Sequence, residues 1–227
     1  MPYSGGSSTT TGVEYQNWFL TLLFSYAFFE QDYHIYPEAL RTSMIKVDDI
    51  VVKSKHGDFF YSLKFRSPSK NLHWSHSDLC SQDILLDFKQ QLIATPKAKL
   101  VLISESNCYL FSEVFNRAIN ASGSQDIHEK LDNEFAVDVW EKAKHVLDFD
   151  DFQMIDFARR VTNRTLPIED LKYLVRHRFM HVTNHDLVAE LLLSKALECS
   201  SNKRVVNKLV INNWLQERTI PINFSNK

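Results

Sequence analysis

Val47-Asp-Asp-Ile-Val-Val-Lys-Ser-Lys-His-Gly-Asp-Phe-Phe-Tyr-Ser-Leu-Lys-Phe65 is the stretch on which the fold turns. Runs rich in Val, Ile, Phe and Tyr flank His56-Gly57, the pattern of a two-residue hairpin loop between pleated strands. With Lys55 paired to Asp58, counting back along both strands sets Asp49 opposite Lys64, where facing Cβ atoms stand roughly 4.5 to 5.5 Å apart. Alternation places Ile50, Val52, Phe59, Tyr61, Leu63 and Phe65 on one apolar face and Asp49, Val51, Ser62 and Lys64 on the other. Asp49, not Asp48, is then the carboxylate on the lysine's side. The same residues are also those of a half-buried structural strand pair whose Asp and Lys form a surface ion pair of little energetic weight.

Working outward, Val13 to Phe29 reads as a helix with apolar residues all round its circumference, which calls for packing between a sheet and other helices. Its Trp18–Phe29 stretch is shorter than the roughly 20 residues that span a bilayer, so no membrane partner is expected. Residues 1–11 are small and polar and read as a flexible lead-in, without the charged start and apolar run of a signal peptide. A strand is expected around Tyr33–Tyr36, a helix over 77–94, and a continuous apolar strand over Lys99–Ser104 of the kind buried on both faces. Helices follow over 108–120, 125–146, 168–180, 184–198 and 202–216, while the alternation in Phe157–Asn163 leaves strand and helix end undecided. The fold class is therefore α/β: a mixed sheet flanked by helices over residues 12–122, then a mostly helical half over 123–227, with a soft boundary at Ser122-Gly123-Ser124.

The 227 residues carry a net charge of −2, so contact with a polyanion must come from a local patch. Three cysteines without CxxC spacing suggest neither a disulfide framework nor a zinc site, and a reducing, cytoplasmic setting is the simplest reading. No phosphate-cradling Gly-rich loop and no GxSxG elbow occur. His177, His181 and His185 recur at helical spacing beside Arg176 and Arg178, but Thr183-Asn184 reads as an N-cap that breaks the row. Arg66, Lys70, His73 and His76 follow the lysine strand, and either loop solvation or phosphate binding accounts for them. Glu14, one residue after Val13 at a helix start, either favours the positive end of the helix dipole or projects toward a metal shared with Asp49.

Gly12-Val13-Glu14-Tyr15-Gln16 on the first helix, Val47-Asp48-Asp49-Ile50 opening a strand and Leu63-Lys64 on the next resemble the PD-(D/E)xK nuclease superfamily. More narrowly, they resemble the double-stranded-DNA endonuclease domain of CD-NTase-associated anti-phage effectors. Trp74, Ser77-Asp78-Leu79 and Ile84-Leu85-Leu86-Asp87-Phe88 continue the likeness, which covers roughly residues 5–105. The resemblance implies a restriction-endonuclease-like core cutting double-stranded DNA in bacterial immunity. Asp49, Glu14 and the Leu63 carbonyl would hold Mg²⁺ or Mn²⁺, Lys64 would assist the attacking water, and Gln16 and Ser62 would support the site. It also implies control by a sensor or partner protein subunit, or by assembly into a homo-oligomer. The chain departs from the pattern at Ser62, where the family has Glu or Gln. The alternative is accordingly a catalytically degraded nuclease fold that serves as a DNA-binding or assembly module; an RNA-cutting nuclease on the same scaffold is a third reading.

Overall fold

The computed structural model describes residues 6–39, 42–47, 49–65 and 73–222. A mixed five-stranded sheet runs in the order β1-β2-β3-β5-β7: β1 (His34–Pro37), β2 (Ile50–Ser54), β3 (Gly57–Lys64), β5 (Lys99–Ser104) and β7 (Val161–Thr165). The expected α/β class with a mostly helical second half holds. The chain divides into two compact units that interleave in sequence, 1–39 with 49–58 and 166–227, and 40–48 with 59–165.

The first unit is built on α1 (Gly6–Phe29), which packs against α8 (Ile168–Phe179), α9 (His185–Asn202) and α10 (Lys208–Glu217). Tyr15, Phe19, Leu20, Leu23, Phe24 and Phe28 are buried around its circumference, as an all-round apolar helix requires. Its buried hydroxyls are satisfied locally, Thr21 Oγ1 donating to Asn17 O at 2.7 Å and Ser25 Oγ to Leu22 O at 2.6 Å. The helix begins at Gly6, so most of the expected lead-in is helical, extended from the apolar core of α1; residues 1–5 lie outside the described residues. β1 pairs antiparallel with β2, Ile35 opposite Val52 and Pro37 opposite Ile50.

The turn after β2 is Lys55-His56, not His56-Gly57. Ser54 Oγ accepts from His56 N at 3.1 Å and donates to Gly57 O at 3.3 Å, and Gly57 follows the turn at φ +113°, a conformation open to glycine. The count that set Asp49 opposite Lys64 therefore starts one residue too late on each strand. Strand alternation is unaffected by this.

In the second unit β3, β5 and β7 are all parallel, Ser62 level with Leu102, Lys64 with Ser104, and Leu102 with Asn163. Parallel neighbours need helical crossovers. One is α2 (His76–Ser81) with α3 (Ile84–Ala94); the other is α4 (Phe115–Ala118), α5 (Ser124–Lys130), α6 (Glu134–Leu147) and α7 (Asp151–Arg160). The expected helix over 77–94 breaks at Asp83, which sits at φ +54°. The undecided segment Phe157–Asn163 proves to be both, with α7 ending at Arg160 and β7 starting at Val161. Central β5 is buried from Leu100 to Ser104, in keeping with its unbroken apolar run. A short parallel pair, β4 (His73–Trp74) and β6 (Asn107–Cys108), lies beyond the C-terminal ends of β3 and β5 in sequence.

Candidate active site

Asp49 stands half-buried one residue before β2, in the first unit. Its carbonyl accepts from Glu38 N at 2.9 Å, and the Glu38 carboxylate in turn accepts a short hydrogen bond from Gln16 Nε2. Glu38 follows Pro37 at the end of β1 and takes φ +47°, an uncommon conformation for a residue with a side chain. Gln16, Glu38 and Asp49 thus form one connected group drawn from α1, β1 and the approach to β2. Glu14 is exposed and pairs with Lys172 Nζ of α8 at 3.6 Å. Two residues along a helix turn about 200°, so Glu14 leaves α1 on roughly the opposite side from Gln16. The residue that the hydrogen bonds join to Asp49 is Glu38, through its backbone N–H while its carboxylate faces Gln16; the sequence reading did not single it out, and its sequence signal is an acid directly after a strand-ending proline.

In the second unit, Ser62, Leu63 and Lys64 occupy the C-terminal end of β3, the end at which open parallel sheets bind ligands. Phe60 and Ser62 are buried, 3% and 7% exposed, whereas Phe59, Tyr61 and Leu63 are only half-buried. Alternation sorted the residues of β3 correctly, but the face expected to be apolar core is the more open one. Trp74 Nε1 donates to Ser104 Oγ at 2.7 Å, and the same hydroxyl accepts from Ser106 N at 3.1 Å. This anchors the segment that follows the lysine strand to the end of β5.

Fully buried Gln91 on α3 holds the segment leading to Asp49. Its Oε1 accepts from Lys46 N at 2.7 Å and Val47 N at 3.2 Å, and its Nε2 donates to Met44 O at 2.9 Å and Thr95 Oγ1 at 3.2 Å. All four hydrogen-bonding positions of the amide are used. The signal in the sequence was a polar residue within the apolar stripe Ile84, Leu85, Phe88, Leu92.

Asp49 and Glu38 are hard oxygen donors of the type Mg²⁺ selects. His128, Glu141 and Asp151 also cluster, but Lys144 Nζ stands 2.9 Å from both carboxylates, so an ammonium already bridges them. Burial raises the Asp151 carboxyl, yet hydrogen bonds from Ser124, Lys144 and Trp140 prevail and bring it down to about 2. That cluster is an ion-pair network rather than a metal centre. Arg178 lies over the Tyr26 ring, 3.8 Å from its centroid, and is occupied in packing on α1. Asn184 occupies the N-cap position of α9 at φ +62° without a side-chain cap; its Nδ2 reaches Pro221 O at 3.3 Å. Asp48, Arg66 and Lys70 lie outside the described residues.

The fold is that of a mixed α/β protein in which Glu38 joins Gln16 of the first helix to Asp49 at the approach to a sheet strand. No protein-family model matches the chain, and no curated protein matches it in sequence. Among solved structures it resembles the Acinetobacter baumannii Cap4 SAVED/CARF-domain containing receptor with the cyclic trinucleotide 2'3'3'-cAAA, at a TM-score of 0.56 and 16% identity over 91% of this chain and 46% of that one. The same receptor with 3'3'3'-cAAA gives 0.57 and 15% over 92% and 48%, and the Moraxella osloensis Cap4 receptor 0.55 and 12% over 92% and 48%. The likeness is one of fold, and the chain spans about half the length of these receptors. Among the described residues no helix is long and apolar enough to cross a membrane.

Proposed function

We propose that this chain is the nuclease part of a bacterial anti-phage effector, a metal-dependent endonuclease of the PD-(D/E)xK type acting on double-stranded DNA. The observation that carries the reading is the Gln16–Glu38–Asp49 group: two segments whose sequences resemble the nuclease motifs, far apart in the chain, both meet Glu38, whose carboxylate accepts from Gln16 and whose backbone N–H donates to the Asp49 carbonyl. The fold likeness to Cap4 receptors supports it from an independent direction.

In this reading Asp49 and Glu38 bind the divalent ion, with the Leu63 carbonyl as a further donor, and Gln16 orients Glu38. When bound, Mg²⁺ or Mn²⁺ lowers the pKa of a water and offsets charge on the scissile phosphate. Lys64 donates to the attacking water and stabilises charge as it develops on the phosphate oxygens. Glu38 takes the part that the family pattern gives to the acid missing at Ser62, and Glu14 serves the first turns of α1 through its pair with Lys172.

The test is cleavage of linear and plasmid duplex DNA with Mg²⁺ or Mn²⁺, then with chelator, for wild type, Asp49→Ala and Lys64→Ala. Metal-dependent cutting reduced by about 100-fold or more in both variants is expected. Cutting that survives Lys64→Ala would remove the lysine from the site. The burial of Ser62 where the family carries a longer polar side chain favours one second reading, a nuclease fold retained as a DNA-binding or assembly platform. Cutting that arises only in Ser62→Glu would establish that platform; cutting by the wild type excludes it.

A further inference from the structure

On the opposite face of β3 from Ser62 and Lys64, the ends of three parallel strands line a cavity of about 440 Å³. Phe59 and Tyr61 stand on β3, Lys99 on β5 level with Phe59, and Arg164 on β7 level with Ile103. Lys97 precedes β5 at the same rim. The two aromatic rings stack, their centroids 6.3 Å apart and their planes 19° from parallel, and Lys99 Nζ lies 4.9 Å from the Phe59 centroid. Arg159 and Arg160 complete the wall, the first fixed by the carbonyls of Ile119 and Ala121 at 3.0 and 2.8 Å, the second 3.5 Å from Asp156. Five of the ten lining residues are cationic and none is acidic, in a chain whose net charge is −2.

This composition selects its ligand. Five cations against the one carboxylate, Asp156, that pairs with Arg160 leave the face strongly positive and call for a polyanion, and two half-open aromatic faces call for flat π-systems carried by that polyanion. An acidic peptide supplies the charge without the rings, and a duplex keeps its base faces stacked inside. We propose that this sheet face binds a single-stranded nucleic-acid segment, with unpaired bases on Phe59 and Tyr61 and backbone phosphates at Lys97, Lys99 and Arg164. The site is separate from the proposed nuclease centre and does not depend on it.

The experiment is fluorescence anisotropy with a labelled oligothymidylate of about 12 nucleotides, in chelator, so that no cutting enters the reading. The whole chain should bind the strand, and Phe59→Leu, which keeps bulk but loses the π-face, should weaken binding by about tenfold. Arg164→Glu, at an exposed position, should weaken it further and flatten its salt dependence. Arg176→Glu, an exposed cation elsewhere, should change neither. Circular dichroism melts confirm that each variant is folded. Absence of binding by the wild type, or equal binding by Phe59→Leu and Arg164→Glu, overturns the proposal. So does a duplex of the same length that binds as well and responds equally to Phe59→Leu.

Discussion

Single residues decide which segments meet at Asp49. Glu38 holds an uncommon backbone conformation, its N–H donating to the Asp49 carbonyl while its carboxylate meets Gln16. Replacing Glu38 by Gln keeps the size and removes the charge, so metal-dependent cutting should fall by about 100-fold with little change in melting temperature; an unchanged rate in a plasmid assay would return the second carboxylate to Glu14. Asp151 makes a contrasting case, a carboxylate committed to stability. Its pKa in the folded chain, about 2 against an ordinary 3.8, means that its stabilising contribution is complete above pH 4 and is lost as pH falls toward 2. Asp151→Asn should therefore cost about 1 to 2 kcal/mol at pH 7, and thermal melts should show the gap to wild type closing as the pH is lowered below 4. Burial pushes the Cys108 thiol up to about 12 and that of Cys199 to about 11. Neither should react with iodoacetamide at neutral pH in the folded chain, as mass spectrometry of labelled peptides can verify.

Elements carry the next level of control. α3 presents an apolar stripe interrupted by Gln91, and that one amide fastens Met44–Val47 directly ahead of Asp49. Gln91→Ala leaves a cavity together with buried backbone groups that have lost their partner, a loss of about 2 to 4 kcal/mol. Denaturant melts should show that loss, and cutting should drop beyond what the fraction unfolded explains, because the segment entering Asp49 is no longer held. A rate that simply tracked the folded fraction would make Gln91 structural only. β3 divides its work by alternation: Phe60 and Ser62 pack inward, while Phe59 and Tyr61 stay half-open. The two aromatics are assigned a ligand because they stack side by side in a cavity whose other walls carry five cations.

At the scale of the whole molecule, the chain spans about half the length of the Cap4 receptors it resembles in fold, and the sequence resemblance implies control of the proposed nuclease by a partner subunit or by self-association. The isolated chain should cut weakly at low concentration, and cutting should rise with self-association or with an added partner subunit; light scattering run alongside the cleavage assay checks this, and a rate per molecule independent of concentration and partner would count against it. Much was determined by the sequence alone. The all-round apolar pattern of α1, the unbroken run of β5, the α/β class and the resemblance resting on Glu14, Gln16, Asp49 and Lys64 all come from local periodicity and motif order, which the residues carry wherever the chain travels. Tertiary structure alone decided that Phe60 and Ser62 rather than Phe59 and Tyr61 face inward, that Val161–Thr165 joins the sheet beside β5, that Glu14 turns to Lys172, and that Glu38 reaches Gln16 and Asp49. Periodicity tells which side chains share a face; what lies over that face, and which distant residue donates to which oxygen, depends on where the chain returns in space.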